Sequence, residues 1–459
     1  MAHIEADLHD REDEGLSERR FNDILDAVHE GDASRLTAAL RNLHPADTAD
    51  LLEQISPEER RELLTLWKHL DGEVLSEIRD SIREEVIESL APEVLADAVR
   101  ELDTDDVVDI LEDLDEPQHG IILDALDRAD RMAVEKALTY PEYSAGRLMQ
   151  REAVIAPEHW SVGEAIDFLR EAEYLPEQFY HVILVDPRMK PVAYVTLGRV
   201  LSSRRDMALR TLSEDSFRTF HPEDPESDVA YQFNQYHLIS APVVDQNGRL
   251  VGVITIDDAM NVLDEEHQED ILRLANVGDE SSISDGVWAT LRQRTPWLLI
   301  NLLTANISAW VISQFDTTIS MIVVLAALMP IIASMGGNAG TQSLTVAVRA
   351  LATRDLTSSN APRVVRREVM VGLINGVFFA LVMGVMGVVL YGGGLWLGVV
   401  IALAMVINLA VAALAGTLVP LTLQKLNLDP ALASGTFVMT LTDVVGFFAF
   451  LGLATVILL

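Results

Sequence analysis

Asp443 stands in the apolar sequence TFVMTLTDVVGFFAFLGLA, the one carboxylate inside five long apolar runs in the last third of the chain. An ionisable group at the centre of a bilayer costs about 2.5 kcal/mol or more, so such residues face water or a polar pathway. Asp443 is therefore read as a cation site. A protonated acid hydrogen-bonded to Thr440 or Thr442 is the structural alternative. No His follows His267 and the chain has no Cys, which excludes an imidazole and thiolate site of transition-metal type here. Mg2+ sheds water reluctantly and uses one or two carboxylates with several waters retained. One Asp from each of two copies across a two-fold axis suits a hydrated Mg2+.

The elements that position Asp443 are apolar runs near 296–315, 318–348, 369–391, 395–424 and 431–459, each long enough to cross a bilayer as a helix. The second contains Pro330 and then MGGNAGTQ, from Met335 to Gln342. Pro removes a backbone donor and paired glycines loosen a helix, so this run is expected to break. Pro330, Gly336, Gly337, Asn338 and Gln342 are candidate pore-lining or motif residues, with Asn338 and Gln342 four apart on one face. A kink that only serves packing is the alternative. In the third run Gly372, Gly376, Ala380 and Gly384 repeat every four residues, which predicts close helix packing, against the same chain or a second copy. All eight basic residues beyond 285 lie before the first run or in the second and fourth connections. The positive-inside rule then puts the N-terminus in the cytoplasm and the C-terminus outside, in a multi-pass protein of the plasma (inner) membrane surrounded by lipid.

The front of the chain is of another kind. Residues 1–285 carry 66 acidic and 26 basic side chains, and the remainder 5 and 8, within 459 residues. Length suggests about three units. The first twenty residues hold no apolar stretch, which argues against a signal peptide. Such acidity repels nucleic acid and attracts cations. Only 4 of the 34 basic residues are Lys, so adaptation to a salty cytoplasm is a second account of the acidity. No Walker A sequence is present, and the connections between apolar runs are too short for a catalytic face, so the chain is not read as an enzyme.

Two stretches superimpose at an offset of 59 residues, VILVDPRMKPVAYVTLGRVL from Val182 and APVVDQNGRLVGVITIDDAM from Ala241. Each reads as strand, turn, strand, helix. The pair resembles the CBS domain, a tandem module that binds adenosine nucleotides or metal ions. The second copy has Gly252, Thr255 and Asp258 at a spacing similar to ribose and phosphate contacts of that family, where the first has Ala193 and Arg199. That makes Thr255 and Asp258 candidates for ATP or another adenosine nucleotide. Before the tandem, helices of about twelve residues start at Pro45, Pro57, Pro92, Thr104 and Pro117 and read as iterations of one unit in a small superhelix. After it, Ala259 to Val277 forms a helical pattern with Asp264, Glu265, Glu266, Glu269 and Asp270 on neighbouring turns. Those carboxylates repel one another unless cations relieve them. A solvated face is the plain alternative.

The expected fold is a multidomain membrane protein: an acidic tail (1–19), an all-α superhelical domain (20–140), an α/β CBS tandem (141–258), a connecting helix (259–290) and five transmembrane helices (291–459). This order, with PIIASMGGNAGTQ from Pro330, DPALASG from Asp429 and Asp443 in TLTDVVG, resembles the MgtE family of magnesium channels and transporters, related to solute carrier family 41. The resemblance implies a homodimer, a Mg2+ site at Asp443, and a connecting "plug" helix that cytoplasmic Mg2+ holds closed. It implies Asp105, Asp109, Asp258, Asp264, Glu265, Glu266, Glu269 and Asp429 as regulatory metal ligands, with Asp257 in reserve for Asp258. The expected function is Mg2+-selective influx gated by cytoplasmic Mg2+. A cation-coupled secondary transporter or exchanger of divalent cations is the alternative.

Overall fold

The computed structural model describes residues 16–459, apart from 42, 113, 115, 173, 174, 177, 178, 215, 216, 276, 278–285, 392, 393, 432 and 433. The chain divides into two compact units, residues 1–266 and 267–459.

The first unit opens with ten described helices: α1 (Glu18–Glu30), α2 (Ala33–Leu40), α3 (Pro45–Gln54), α4 (Pro57–Leu66), α5 (Gly72–Glu77), α6 (Asp80–Ser89), α7 (Pro92–Val99), α8 (Thr104–Glu112), α9 (Glu116–Ala125) and α10 (Arg128–Ala137). Pro45, Pro57 and Pro92 are each the first helical residue, where the missing N–H costs nothing and φ is already helical. Ser56 and Glu59 close a capping box on α4. Helices pack on those two ahead, α3 on α5, α4 on α6, α5 on α7, α7 on α9 and α8 on α10, which is the packing of a superhelix. Two enclosed guanidiniums staple it: Arg60 donates to Leu52 O at 2.8 Å and Arg83 to Ile78 O at 3.0 Å.

The tandem follows as β1 (Ile155–Pro157), α11 (Val162–Glu171), β2 (His181–Val185), β3 (Pro191–Thr196), α12 (Leu197–Ser202), α13 (Glu226–Tyr236), β4 (Ser240–Val244), β5 (Leu250–Thr255) and α14 (Ile256–Leu274). The order is β1-β2-β3 in one sheet and β4-β5 in the other, and β2 and β4 pair antiparallel with β3 and β5. The repeat is exact in register: both hairpins shift at the matching place, between Leu184 and Val185 and between Val243 and Val244. The equivalent residues His181 and Ser240 meet at 2.7 Å, and burial pushes the imidazole down to about 4. Since α12 and α14 begin at equivalent positions, the acidic connecting helix is the last CBS helix prolonged. It starts at Ile256, three residues before the expected 259. Residues 276 and 278–285 of the expected connecting segment lie outside the described residues.

Among the described residues the second unit holds five helices long and apolar enough to cross a membrane: α15 (Val287–Ser313), then, after the short α16 (Asp316–Met321), α17 (Val324–Ala352), α18 (Ala361–Val389), α19 (Gly394–Lys425) and α20 (Ser434–Leu458). α19 is central, packed on α17, α18 and α20. The small-residue stripe of α18 meets α19 of the same chain. A Cβ at Gly372 would lie 2.6 Å from Ala413 Cβ and 2.8 Å from Leu409 O, and one at Gly376 3.0 Å from Val406 Cα. The open choice between same chain and second copy is thus decided for this stripe. Gly372→Leu should destabilise the second unit by about 1–3 kcal/mol through overpacking, read as a lowered melting temperature of the detergent-solubilised protein. An unchanged melting temperature would contradict this packing.

Candidate cation site

Asp443 is half-buried on α20. The face of α20 next to it, Val438 and Thr442, lies on Gly340 of α17, where a Cβ would be 2.6 Å from Val438 Cγ1 and 3.5 Å from Thr442 Cγ2. Thr440 Oγ1 donates to Thr436 O at 2.7 Å and Thr442 Oγ1 to Met439 O at 2.9 Å. Both hydroxyls donate to the helix's own carbonyls, so neither donates its proton to Asp443.

The expected break in the second span is corrected. α17 runs unbroken through Pro330 and both adjacent glycines. Proline φ is compatible with a helix, and the ring removes one N–H. Packing by α19 and α20 supports the rest. The motif divides by face instead. Gly336 and Gly340 are buried against α19 and α20, while nothing stands within 4 Å of a Cβ at Gly337. Ser334, Asn338, Thr341, Gln342 and Thr345 are exposed in the single chain, and Asn338 Nδ2 donates to Ser334 Oγ at 3.5 Å. A polar stripe therefore runs along one side of a membrane helix whose other side is packed with glycine.

Two polar residues escaped the sequence reading. Asn408, in the middle of an otherwise apolar α19, is fully enclosed and donates to Ile332 O at 2.8 Å. Glu368 sits inside α18, which starts eight residues before the apolar run that was expected to begin at 369. Its side chain is 12% exposed, with Arg367 at 2.9 Å and Ser343 Oγ at 3.4 Å. With Asp355 and Thr417 it lines a cavity of about 190 Å³.

In the first unit the fold gathers acids that the sequence scatters. Asp105, at the start of α8, is buried within electrostatic reach of Asp258 at the start of α14. Burial, then the charge of Asp258, holds Asp105 well above the ordinary carboxylate value. Burial, then Asp258 and Asp103, pushes Asp106 up to about 8, and burial pushes Asp258 up to about 6. Thr255 Oγ1 donates to Asp258 at 2.6 Å, so both nucleotide candidates already serve the first turn of α14. Asp109 pairs with Arg83 at 2.9 Å. Asp264, Glu265 and Glu266 follow on α14. Glu226, which sequence reading missed, is pushed to about 7 by burial and then by Glu265 and Glu112.

In the second unit Glu269 and Asp429 are brought together by Arg273. Its guanidinium lies 2.8 Å from Glu269 and 2.6 Å from Asp429, whose other oxygen accepts from Ala431 N at 2.7 Å. Burial, then Asp429, raises the neighbouring Asp270. Among the described residues no three His, Cys, Asp or Glu side chains are arranged to hold a bare metal ion. A Mg2+ that keeps most of its water does not need such a group.

The chain is similar over residues 329–453 to the family model of MgtE, divalent cation transporter, over 43–143 to the MgtE intracellular N domain, and over 210–265 to the CBS domain. The CBS match covers the second copy alone; the first rests on the offset of 59. The magnesium transporter MgtE of Thermus thermophilus is 33% identical over 449 residues, 96% of this chain and 99% of that one. Its counterpart from Bacillus subtilis is 29% identical over 72% of this chain and 74% of that one. A crystal structure of the cytosolic domain of the Mg2+ channel MgtE in complex with ATP is 30% identical, with a TM-score of 0.49, over 53% of this chain and 99% of that one.

Raised carboxyl values mean that the folded chain binds more protons than the unfolded one. Stability from the Asp105, Asp106 and Asp258 group is therefore full below the ordinary carboxylate value and falls as pH rises from about 4 to about 8. A cation that replaces the protons restores it. Mg2+ should raise the melting temperature of the full chain more at about pH 8 than at about pH 5, and Asp105→Asn should reduce that difference. Equal Mg2+ shifts at both pH values would contradict the grouping.

Proposed function

We propose, for a chain that belongs to the MgtE family of magnesium transporters, that it is a passive Mg2+ entry pathway closed by Mg2+ on its soluble side. The observation that carries this reading is the exposed polar stripe of α17 beside the helix that bears Asp443. Polar side chains at membrane depth must meet water or protein. Two copies that face each other along this stripe would enclose a wet path with one Asp443 from each, which supports a homodimer. Two carboxylates around a hydrated ion suit Mg2+, which keeps its waters, better than a dehydrating site would. Two charges crossing 100 mV gain about 4.6 kcal/mol, enough to drive entry without ATP hydrolysis. The orientation that suits entry has the first unit in the cytoplasm, as the basic connections favour.

Closure follows from charge. α14 is 19 residues long, with Asp258 in its first turn and Glu269 and Arg273 in its last turns. Without Mg2+ the acids around Asp105, Asp258 and Glu226 repel and need protons to coexist. With Mg2+ they are bridged through water, and the start of α14 is held. Asp109, Asp264, Glu265 and Glu266 extend the same surface, and Asp429 ties the far end of α14 through Arg273. An adenosine nucleotide at the second CBS copy would have to share Thr255 and Asp258 with this arrangement, so it is proposed as a modulator rather than as fuel.

Liposomes containing Asp443→Ala test the pathway. Mg2+ uptake should fall by about tenfold or more when an intramembrane ion ligand is lost, while the melting temperature stays near that of the unsubstituted protein. Uptake at the unsubstituted rate would remove Asp443 from the path.

A further inference from the structure

Asn408 is 0% exposed in the centre of α19. Its Nδ2 donates to Ile332 O at 2.8 Å, which fixes the way the amide faces. Oδ1 then has no hydrogen-bond partner. The amide is wedged between two glycines on different helices. A Cβ at Gly336 of α17 would lie 2.3 Å from Nδ2 and 2.9 Å from Oδ1, and a Cβ at Gly446 of α20 would lie 2.9 Å and 3.0 Å from the same atoms. Either glycine, given a side chain, would drive the amide out.

Stability does not account for this residue. A leucine has the same branching and no oxygen to strand in an apolar core, and an unpaired buried oxygen is a net cost. What the amide provides and leucine lacks is direction. One bond to the backbone of α17, made from α19 with α20 on the other side, sets both the rotation and the height of α17 at the junction. Ile332, Gly336 and Gly340 form the packed face of α17, and Asn338 lies two residues beyond Gly336, on the other side of the helix. On α20, Thr442 and Gly446 form the packed face and Asp443 is next to Thr442. A small turn of α17 at this junction therefore changes how the polar stripe stands relative to Asp443.

We propose that Asn408 is a positioning residue that pins α17 against α20 and thereby sets the spacing between the α17 polar stripe and Asp443, on which discrimination among hydrated divalent cations depends. It touches no ion itself. The proposal rests on Asp443 lying in the pathway.

The test is Mg2+ and Ca2+ uptake by liposomes holding the full chain, with melting temperature measured alongside. Asn408→Leu should change the ratio of Mg2+ to Ca2+ uptake by about fivefold or more. Asn408→Asp keeps a donor, because a carboxyl in this apolar junction is neutral and its O–H can reach Ile332 O; it should hold the ratio within about twofold. Gly446→Ala displaces the amide from the opposite side and should shift the ratio as Asn408→Leu does. It also carries the test if the leucine variant fails to assemble. A merely structural role would slow both ions alike, so an unchanged ratio in Asn408→Leu and Gly446→Ala overturns the proposal. With Asp443→Ala run in parallel, loss of its uptake beside an unchanged Asn408→Leu ratio overturns this proposal alone. Normal uptake by Asp443→Ala overturns the pathway reading and the proposal with it.

Discussion

The arrangement of this protein depends on one constraint: a carboxylate placed where water is scarce must be given a counter-charge, a proton or water. In the membrane unit that constraint falls on Asp443. The hydroxyls closest to it in sequence donate to helix carbonyls, and the helix alongside presents a stripe of exposed amides and hydroxyls along one edge. The packing of five helices follows from keeping that edge open. Glycines at 336 and 340 press one side of α17 into α19 and α20, and the stripe of α18 draws α18 onto α19. The rest of the surface is left apolar for lipid.

The same constraint in the first unit produces the opposite behaviour. Asp105 and Asp258 come from distant parts of the chain and meet in a place dry enough to hold them above their ordinary carboxylate value. Such a group binds something positive or separates. In the proposed function a proton and hydrated Mg2+ compete for it, and a weak, water-mediated contact suits a sensor of cellular Mg2+ better than a tight cage, which would always be full. Arg273 adds a fixed positive charge at the other end of the same helix. There, Glu269 and Asp429 are held by a guanidinium that does not titrate in the physiological range.

Much of this was legible in the sequence, for reasons that can be named. The CBS pair could be read because an offset of 59 carries over strand by strand, down to the shift in each hairpin. The superhelix was visible because proline at a first helical position marks a start without ambiguity. Other features were not legible. Pro330 and Gly336–Gly337 looked like a break because local propensity was weighed without the packing that supports a membrane helix from both sides. Glu368 was missed because helix α18 extends past its apolar core, and Asn408 because one amide does not change the hydropathy of a window. Glu226 and Arg273 have no local signal. Their roles exist only once distant carboxylates are brought beside them.

The most direct measurement is Mg2+ flux through the unsubstituted protein in oriented liposomes, with Mg2+ on the soluble face varied from nearly none to millimolar and the H+ and Na+ gradients set independently. The account predicts flux that follows voltage and the Mg2+ gradient, ignores the other two gradients, and shuts down as Mg2+ on the soluble face rises. Flux that tracks an H+ or Na+ gradient, or that continues undiminished at millimolar Mg2+, would contradict it.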